Sequence, residues 1–243
     1  MIDAHIHLDK YTAHEQATLL ASGASFITVA MDYLSCLANL QLAQHPNVHS
    51  ALGYHPEQAV ASAQEEAAIF DLIRANQHTI VAIGEVGLPY YEQQDRDAHM
   101  ELLERFIKLA KELDKPIVLH AVYEDAPIVC DLLEKHAVTA AHFHWFKGDE
   151  ATIARMIENG YFVSVTPDVC YEQEIRSLVQ RYPLTQLMIE TDGPWPFEHE
   201  FSGQVTTPAM MARSIEEIAK LKQLPVQTVA QQLYTNTKKF YRL

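Results

Sequence analysis

Short apolar runs punctuate the whole chain, at Ile2 to Ile6, Phe26 to Ala30, Val48 to Leu52, Ile80 to Ile83, Ile117 to Leu119, Thr139 to Phe143, Phe162 to Val165 and Leu187 to Ile189. The segments between them carry a helical period. In Arg96 to Leu113, Leu102, Leu103, Phe106, Leu109 and Ala110 fall on one stripe, while Glu and Lys fill the opposite face. Strands alternating with helices predict a parallel sheet. The length of 243 residues suits one α/β barrel, and no Gly/Ser-rich stretch, long charge run or low-complexity segment divides it, so residues 1–243 read as a single domain. Periodicity alone permits either an eight-stranded barrel or an open doubly wound sheet. The position of the polar residues separates the two, because a barrel gathers functional groups at the C-terminal ends of many strands and an open sheet at one switch point.

In this chain the polar groups are spread over many strands. The first reads Ile2-Asp-Ala-His-Ile-His7, and residues two apart share a face, so Asp3, His5 and His7 lie together. The fourth run leads to Glu85, the fifth to His120, the sixth to His142 and His144, and the eighth to Asp192. Burying an unpaired carboxylate or imidazole costs kilocalories, and five strands doing so without compensation is hard to reconcile with folding. Gathering the groups around one or two divalent ions, Zn²⁺, Mn²⁺ or Mg²⁺, removes the difficulty. By the same parity Asp3 lies beneath His5 and Glu190 beneath Asp192, placing both acids where they can accept the second N–H of a ligand histidine.

A formal charge of −14 argues against a stable complex with nucleic acid, although not against a phosphate ester as substrate. No uninterrupted apolar run of about 18 residues marks a membrane span, and the acidic, histidine-rich start lacks a secretory pattern, so a cytoplasmic protein is expected. Cys36, Cys130 and Cys170 are too scattered for a disulfide framework and read as core residues. The oligomeric state is not legible in the sequence.

The motifs IDAHIHLD, ALGYHPE (51–57), GEVGLPYY (84–91), PIVLH (116–120), HWFKG (144–148) and ETDGPW (190–195), with the closing LYTNTKKFYRL, resemble the TatD family of metal-dependent hydrolases, in family order and over essentially the whole chain. The resemblance implies a (β/α)8 TIM-type barrel of the amidohydrolase-like superfamily. It also implies metal ligands at His5, His7, Glu85, His120, His144 and Asp192, with Glu85 shared between ions. It leaves His142 deeper and without a role, and sets His55 at the wall of the site. The chain departs from the family at Pro89, where an acid is usual, and at Val122, where an arginine is usual. A basic residue near FSGQVTTP is missing too. Lys147 and Lys10 follow ligand motifs and are candidate anion contacts. Tyr54, Tyr90, Tyr91, Trp145, Trp195 and Phe197 read either as stacking platforms or as rim packing. His14, His45, His49, His78, His99, His136 and His199 read as surface.

Three functional readings follow. The first is hydrolysis of a phosphoester, a DNA end or a small molecule, by a metal-activated water with Asp192 as ligand and general base. The second keeps the ions and changes the bond to a small amide, lactone or ester, as the missing arginines would allow. The third is a barrel that binds metal without catalysis.

Overall fold

A computed structural model describes residues 1–92 and 94–243. Its strands are β1 (Ile2–Ile6), β2 (Ser25–Val29), β3 (Val48–Leu52), β4 (Ala82–Gly87), β5 (Ile117–His120), β6 (Ala141–Phe143), β7 (Phe162–Val165) and β8 (Leu187–Ile189). They pair in sequence order, each neighbour parallel to the next. Seven helices stand between or after the strands: α1 (Ala13–Leu20), α2 (Tyr33–Leu42), α3 (Ala63–Ala75), α4 (Arg96–Glu112), α5 (Asp125–Lys135), α6 (Glu150–Glu158) and α7 (Gln173–Arg181). Two more, α8 (Met211–Lys222) and α9 (Val226–Tyr241), follow β8. The arrangement is a (β/α)8 barrel.

Beyond the end of β8 the chain closes the ring against β1. Thr191 N donates to the Asp3 carboxylate at 2.9 Å, Asp192 N to His5 O at 3.0 Å, and His7 N to Gly193 O at 2.8 Å. From outside, Asn236 on α9 donates to Leu184 O and Leu187 O, both at 2.7 Å, fixing the approach to β8. These bonds hold the His5 and His7 segment beside the Asp192 segment, so two distant stretches of sequence become one wall.

The fourth strand differs from its sequence reading. It starts two residues later than Ile80 and runs through Gly84-Glu-Val-Gly87, a stretch too rich in glycine to score as strand. Gly84 has φ +152°, and a Cβ there would stand 2.6 Å from Val118 Cβ, so only glycine fits between β4 and β5. The register shifts between Ile83 and Val86, a bulge of the kind that re-aims a side chain. Glu85 sits at that bulge and is fully buried.

The helices seal the outside of the barrel. On α4 the Asp95 side chain caps Ala98 N, and Leu102, Leu103, Phe106 and Ala110 are buried against the strands. Each such Leu or Phe stabilises the fold by about 1.5–3 kcal/mol. His99 shares that stripe, one turn ahead of Leu102 and Leu103, and is buried with Nδ1 2.8 Å from Asp95 O, contrary to the surface position expected of it. Among the described residues no helix is long and apolar enough to cross a membrane.

Candidate metal centre

Five histidines converge on Glu85. Its Oε2 lies 3.1 Å from His5 Nε2 and 3.4 Å from His7 Nε2. Its Oε1 lies 2.7 Å from His144 Nε2, 3.1 Å from His120 Nδ1 and 3.3 Å from His55 Nε2. Asp192 Oδ1 completes the first side, 3.4 Å from His5 Nε2 and 3.5 Å from His7 Nε2. Asp192 itself is in the left-handed region at φ +48°, a strained conformation for a residue with a Cβ and one that clusters at functional sites. The two oxygens of one carboxylate therefore face two different donor groups.

These groups fit metal ions better than they fit one another. Donor atoms of His5, His7 and Asp192, and of His5, Glu85 and His144, lie within 4.8 Å of one another. Yet both ring nitrogens of His5, Glu85 Oε2 and Asp192 Oδ1 are buried with no hydrogen-bond partner among the described residues. Orphaned buried donors and acceptors converging on shared points are what an ion's ligands look like. His55 reads differently. Glu57 N donates to its Nδ1 at 3.2 Å, so the neutral ring carries its proton on Nε2 and offers the cavity an N–H rather than a lone pair. The second donor group is then Glu85 Oε1, His120 and His144.

Electrostatics agree with a centre that demands cations. Burial pushes the Glu85 carboxyl up, but His144, His55 and His5 around it hold it well below the usual carboxylate range. Burial opposes charge on His144, and Glu85 outweighs it, holding the imidazole well above its ordinary value. His7 is likewise lifted to about 9 against burial, by its contacts with Asp192 and Glu85. His5 is pushed down, by burial first and by His144 second. Without ions, protons supply part of the positive charge, so ion uptake displaces them and weakens as pH falls.

The acids beneath the centre divide. Glu190 Oε1 lies 3.7 Å from His144 Nδ1 and accepts Trp145 N at 2.9 Å, while its other oxygen accepts from Ser164 Oγ. Ser164 in turn meets His142 Nε2 at 2.5 Å, and His142 Nδ1 meets Tyr241 OH at 2.8 Å, so the unassigned histidine is part of a buried polar floor. Asp3 does not accept from a ligand ring as expected. Its carboxyl is taken by Thr191, at 2.9 Å from N and 2.5 Å from Oγ1, because closure of the barrel brings Thr191 nearer than any ring nitrogen.

Burial pushes the Asp3 carboxyl up to about 8, against the Thr191 hydrogen bonds and with help from Glu190. The folded chain then keeps a proton that the unfolded chain, at an ordinary 3.8, has released. A raised folded value gives stability that is full below the unfolded value and is lost as pH rises through the folded one. In metal-free protein Asp3 should therefore lower stability by up to about 1.4 kcal/mol per pH unit between roughly pH 4 and 8. Asp3→Asn keeps the shape and an acceptor for Thr191 N but cannot ionise, and should flatten that slope. Denaturant titrations at about pH 5 and about pH 7.5 compare the two proteins; equal slopes would contradict the neutral Asp3.

A cavity of about 530 Å³ opens above the centre, lined by the donor side chains other than the fully buried His5, together with Met31, Val122, Tyr91, Trp145, Lys147 and Trp195. Lys147 Nζ stands 5.6 Å from the Trp145 ring centre. Lys10 is not part of this wall and pairs with Asp9 at 3.4 Å. Of the aromatic candidates, Tyr91, Trp145 and Trp195 reach the cavity, whereas Tyr54 and Phe197 are buried in packing. Met31, Glu57 and Glu92 line the cavity without having been singled out from sequence, and of these Glu57 carries its carboxylate to His120 Nε2 at 3.0 Å. It follows His55 by two positions, but its partners are 33 or more residues away, so only the fold reveals it.

A model of the family described as TatD related DNase matches residues 2–242. The chain belongs to the TatD family. A Haemophilus influenzae protein called an uncharacterized metal-dependent hydrolase is 37% identical over 100% of both chains. The crystal structure of YjjV, a TatD homologue from Escherichia coli, matches with a TM-score of 0.90 at 26% identity, over 100% of this chain and 98% of that one. An uncharacterized Saccharomyces cerevisiae amidohydrolase, at 14% identity and a TM-score of 0.79 over 98% and 99% of the two chains, shares the fold. As a TatD-family member the chain is a metal-dependent hydrolase, and the cluster around Glu85 is where its structure could hold metal.

Proposed function

We propose that this chain hydrolyses a phosphoester, either a DNA end or a small molecule, at a two-ion centre built from His5, His7, Glu85, His120, His144 and Asp192. One observation carries the reading: the two oxygens of Glu85 face separate donor groups at the base of an open cavity. When bound, a pair of Zn²⁺, Mn²⁺ or Mg²⁺ ions supplies Lewis acidity and a water acidic enough to ionise near neutral pH. Asp192 is positioned to take the proton of the attacking water. His55 Nε2–H donates to a substrate oxygen, and Lys147 at the cavity wall pairs with the anion. Trp145 is fixed for stacking: its backbone N is held by Glu190 and its indole Nε1 donates to Asp168 at 2.6 Å.

A second reading, hydrolysis of a small amide, lactone or ester, is favoured by the wall itself. Lys147 is the one Lys or Arg among the described lining residues, and Val122 and Met31 make the neighbouring wall apolar. Phosphodiesters, phosphomonoesters and lactones assayed with Mg²⁺, Mn²⁺ and Zn²⁺ separate the two. On a generic phosphodiester, His5→Ala and Asp192→Asn should each cost about a thousandfold or more in turnover, the several kcal/mol an ion contributes, without unfolding the chain. Turnover of lactones alone would replace the first reading with the second. Full activity in both variants would remove the metal-centred mechanism.

A further inference from the structure

Glu57 is held in an unusual position for a partly exposed acid. Its Oε1 accepts from Tyr90 N at 2.7 Å and Tyr91 N at 2.9 Å, and its Oε2 from Glu92 N at 2.7 Å. The same Oε1 lies 3.0 Å from His120 Nε2. One carboxylate thus gathers three consecutive backbone amides of the segment after β4 and also faces the far nitrogen of the ring whose near nitrogen, Nδ1, points at Glu85. Tyr91, in that segment, sets its ring edge-on to His120 with centres 6.1 Å apart and lines the cavity.

An imidazole that presents a lone pair from Nδ1 must carry its proton on Nε2, and a carboxylate at Nε2 fixes both the tautomer and the ring plane. Three amides converging on the same acid would otherwise need solvent or another acceptor. We propose that Glu57 is a positioning residue that ties the Tyr90–Glu92 segment to His120, so that ordering of this cavity wall and loading of the ion on the His120 and His144 side favour each other. The coupling rests on the two-ion reading and is reciprocal: the ion protects the segment as much as the segment helps the ion. Glutamine at this position keeps the size but loses the charge and one acceptor: with its oxygen toward Tyr90 N, Tyr91 N and His120, its NH2 group meets Glu92 N donor to donor, and the neutral amide holds the ring and the remaining amides less strongly.

The test uses the full chain, stripped of metal and titrated with Zn²⁺ or Mn²⁺ alone by calorimetry, with hydrogen exchange followed at the amides of residues 90–92. Wild type should take up two ions, and loading should slow exchange at those amides. Glu57→Gln should bind one ion as wild type does and the other about 10- to 100-fold more weakly, with the metal-dependent protection of residues 90–92 lost. The melting temperature of the metal-free variant reports whether the fold is intact; if glutamine is not tolerated, Glu57→Asp, which keeps the charge but not the reach, carries the same comparison. A wild type that takes up two ions while the variant matches it in both affinities overturns the coupling alone, as does loss of amide protection with ion affinity unchanged. A wild type that takes up one ion or none overturns the two-ion reading and the coupling with it.

Discussion

Glu85→Gln is expected to remove both ions from the chain at once. The Glu85 carboxylate links the two donor groups, its Oε2 3.1 Å from His5 on one side and its Oε1 2.7 Å from His144 on the other. An amide presents one oxygen and a nitrogen that only donates, so at most one group keeps its shared ligand. The loss is also electrostatic: five histidine nitrogens lie within 3.4 Å of the carboxylate, and without its charge two dications would be held largely by neutral rings and Asp192. Removing one partner of a buried charge cluster costs about 3–5 kcal/mol, part of which His144 can relieve by releasing its proton. Metal content after dialysis should fall from two ions per chain to none, and turnover by about a thousandfold or more. His7→Ala, which touches one group, should retain an ion on the other. Two ions per chain in Glu85→Gln would show that the carboxylate does not bridge.

The second large effect is steric. Gly87 pairs with His120 across β4 and β5, and a Cβ at Gly87 would stand 1.9 Å from His120 O and 2.9 Å from His120 Cβ. The obstructing atoms are mostly backbone, with no flexible side-chain end to swing aside. Gly87→Ala must therefore push β5 away from β4, at a cost of about 3 kcal/mol or more in a packed interior, and the residue displaced is a proposed metal ligand. Denaturant unfolding of the metal-free protein measures the stability change, and an ion titration measures the effect on His120. Unchanged stability and unchanged ion uptake would mean that the two strands can separate freely at this point.

The barrel was legible because its two periods differ so plainly. β1, β3, β7 and β8 occupy the ranges read from the apolar runs, and the stripe on α4 is the buried one. The fourth strand was misplaced because Gly84, Glu85 and Gly87 are poor strand formers by composition, and only the close approach of Val118 and His120 explains them. Within the site, the residues that the structure gathers around Glu85 stand in motifs on different strands, which is why spacing within the chain could point to them. Partnerships across the barrel could not be read. Nothing near Asp3 in sequence shows that Thr191 will reach it first, 188 residues on. Similarly, His99 is a polar residue on an apolar stripe, and burial overrides composition there. Glu57 was hidden because its value lies in three amides of a later loop, and backbone donors leave no mark on a sequence.

The central claim is that Glu85 bridges two divalent ions. Anomalous X-ray diffraction from crystals of the wild-type chain loaded with Zn²⁺ or Mn²⁺ tests it directly. Two peaks are expected about 3.5–4 Å apart, the spacing of two-ion hydrolytic sites, one beside His5, His7 and Asp192, the other beside His120 and His144, with a Glu85 oxygen on each. A single peak, or two peaks with Glu85 bound to only one, would contradict it.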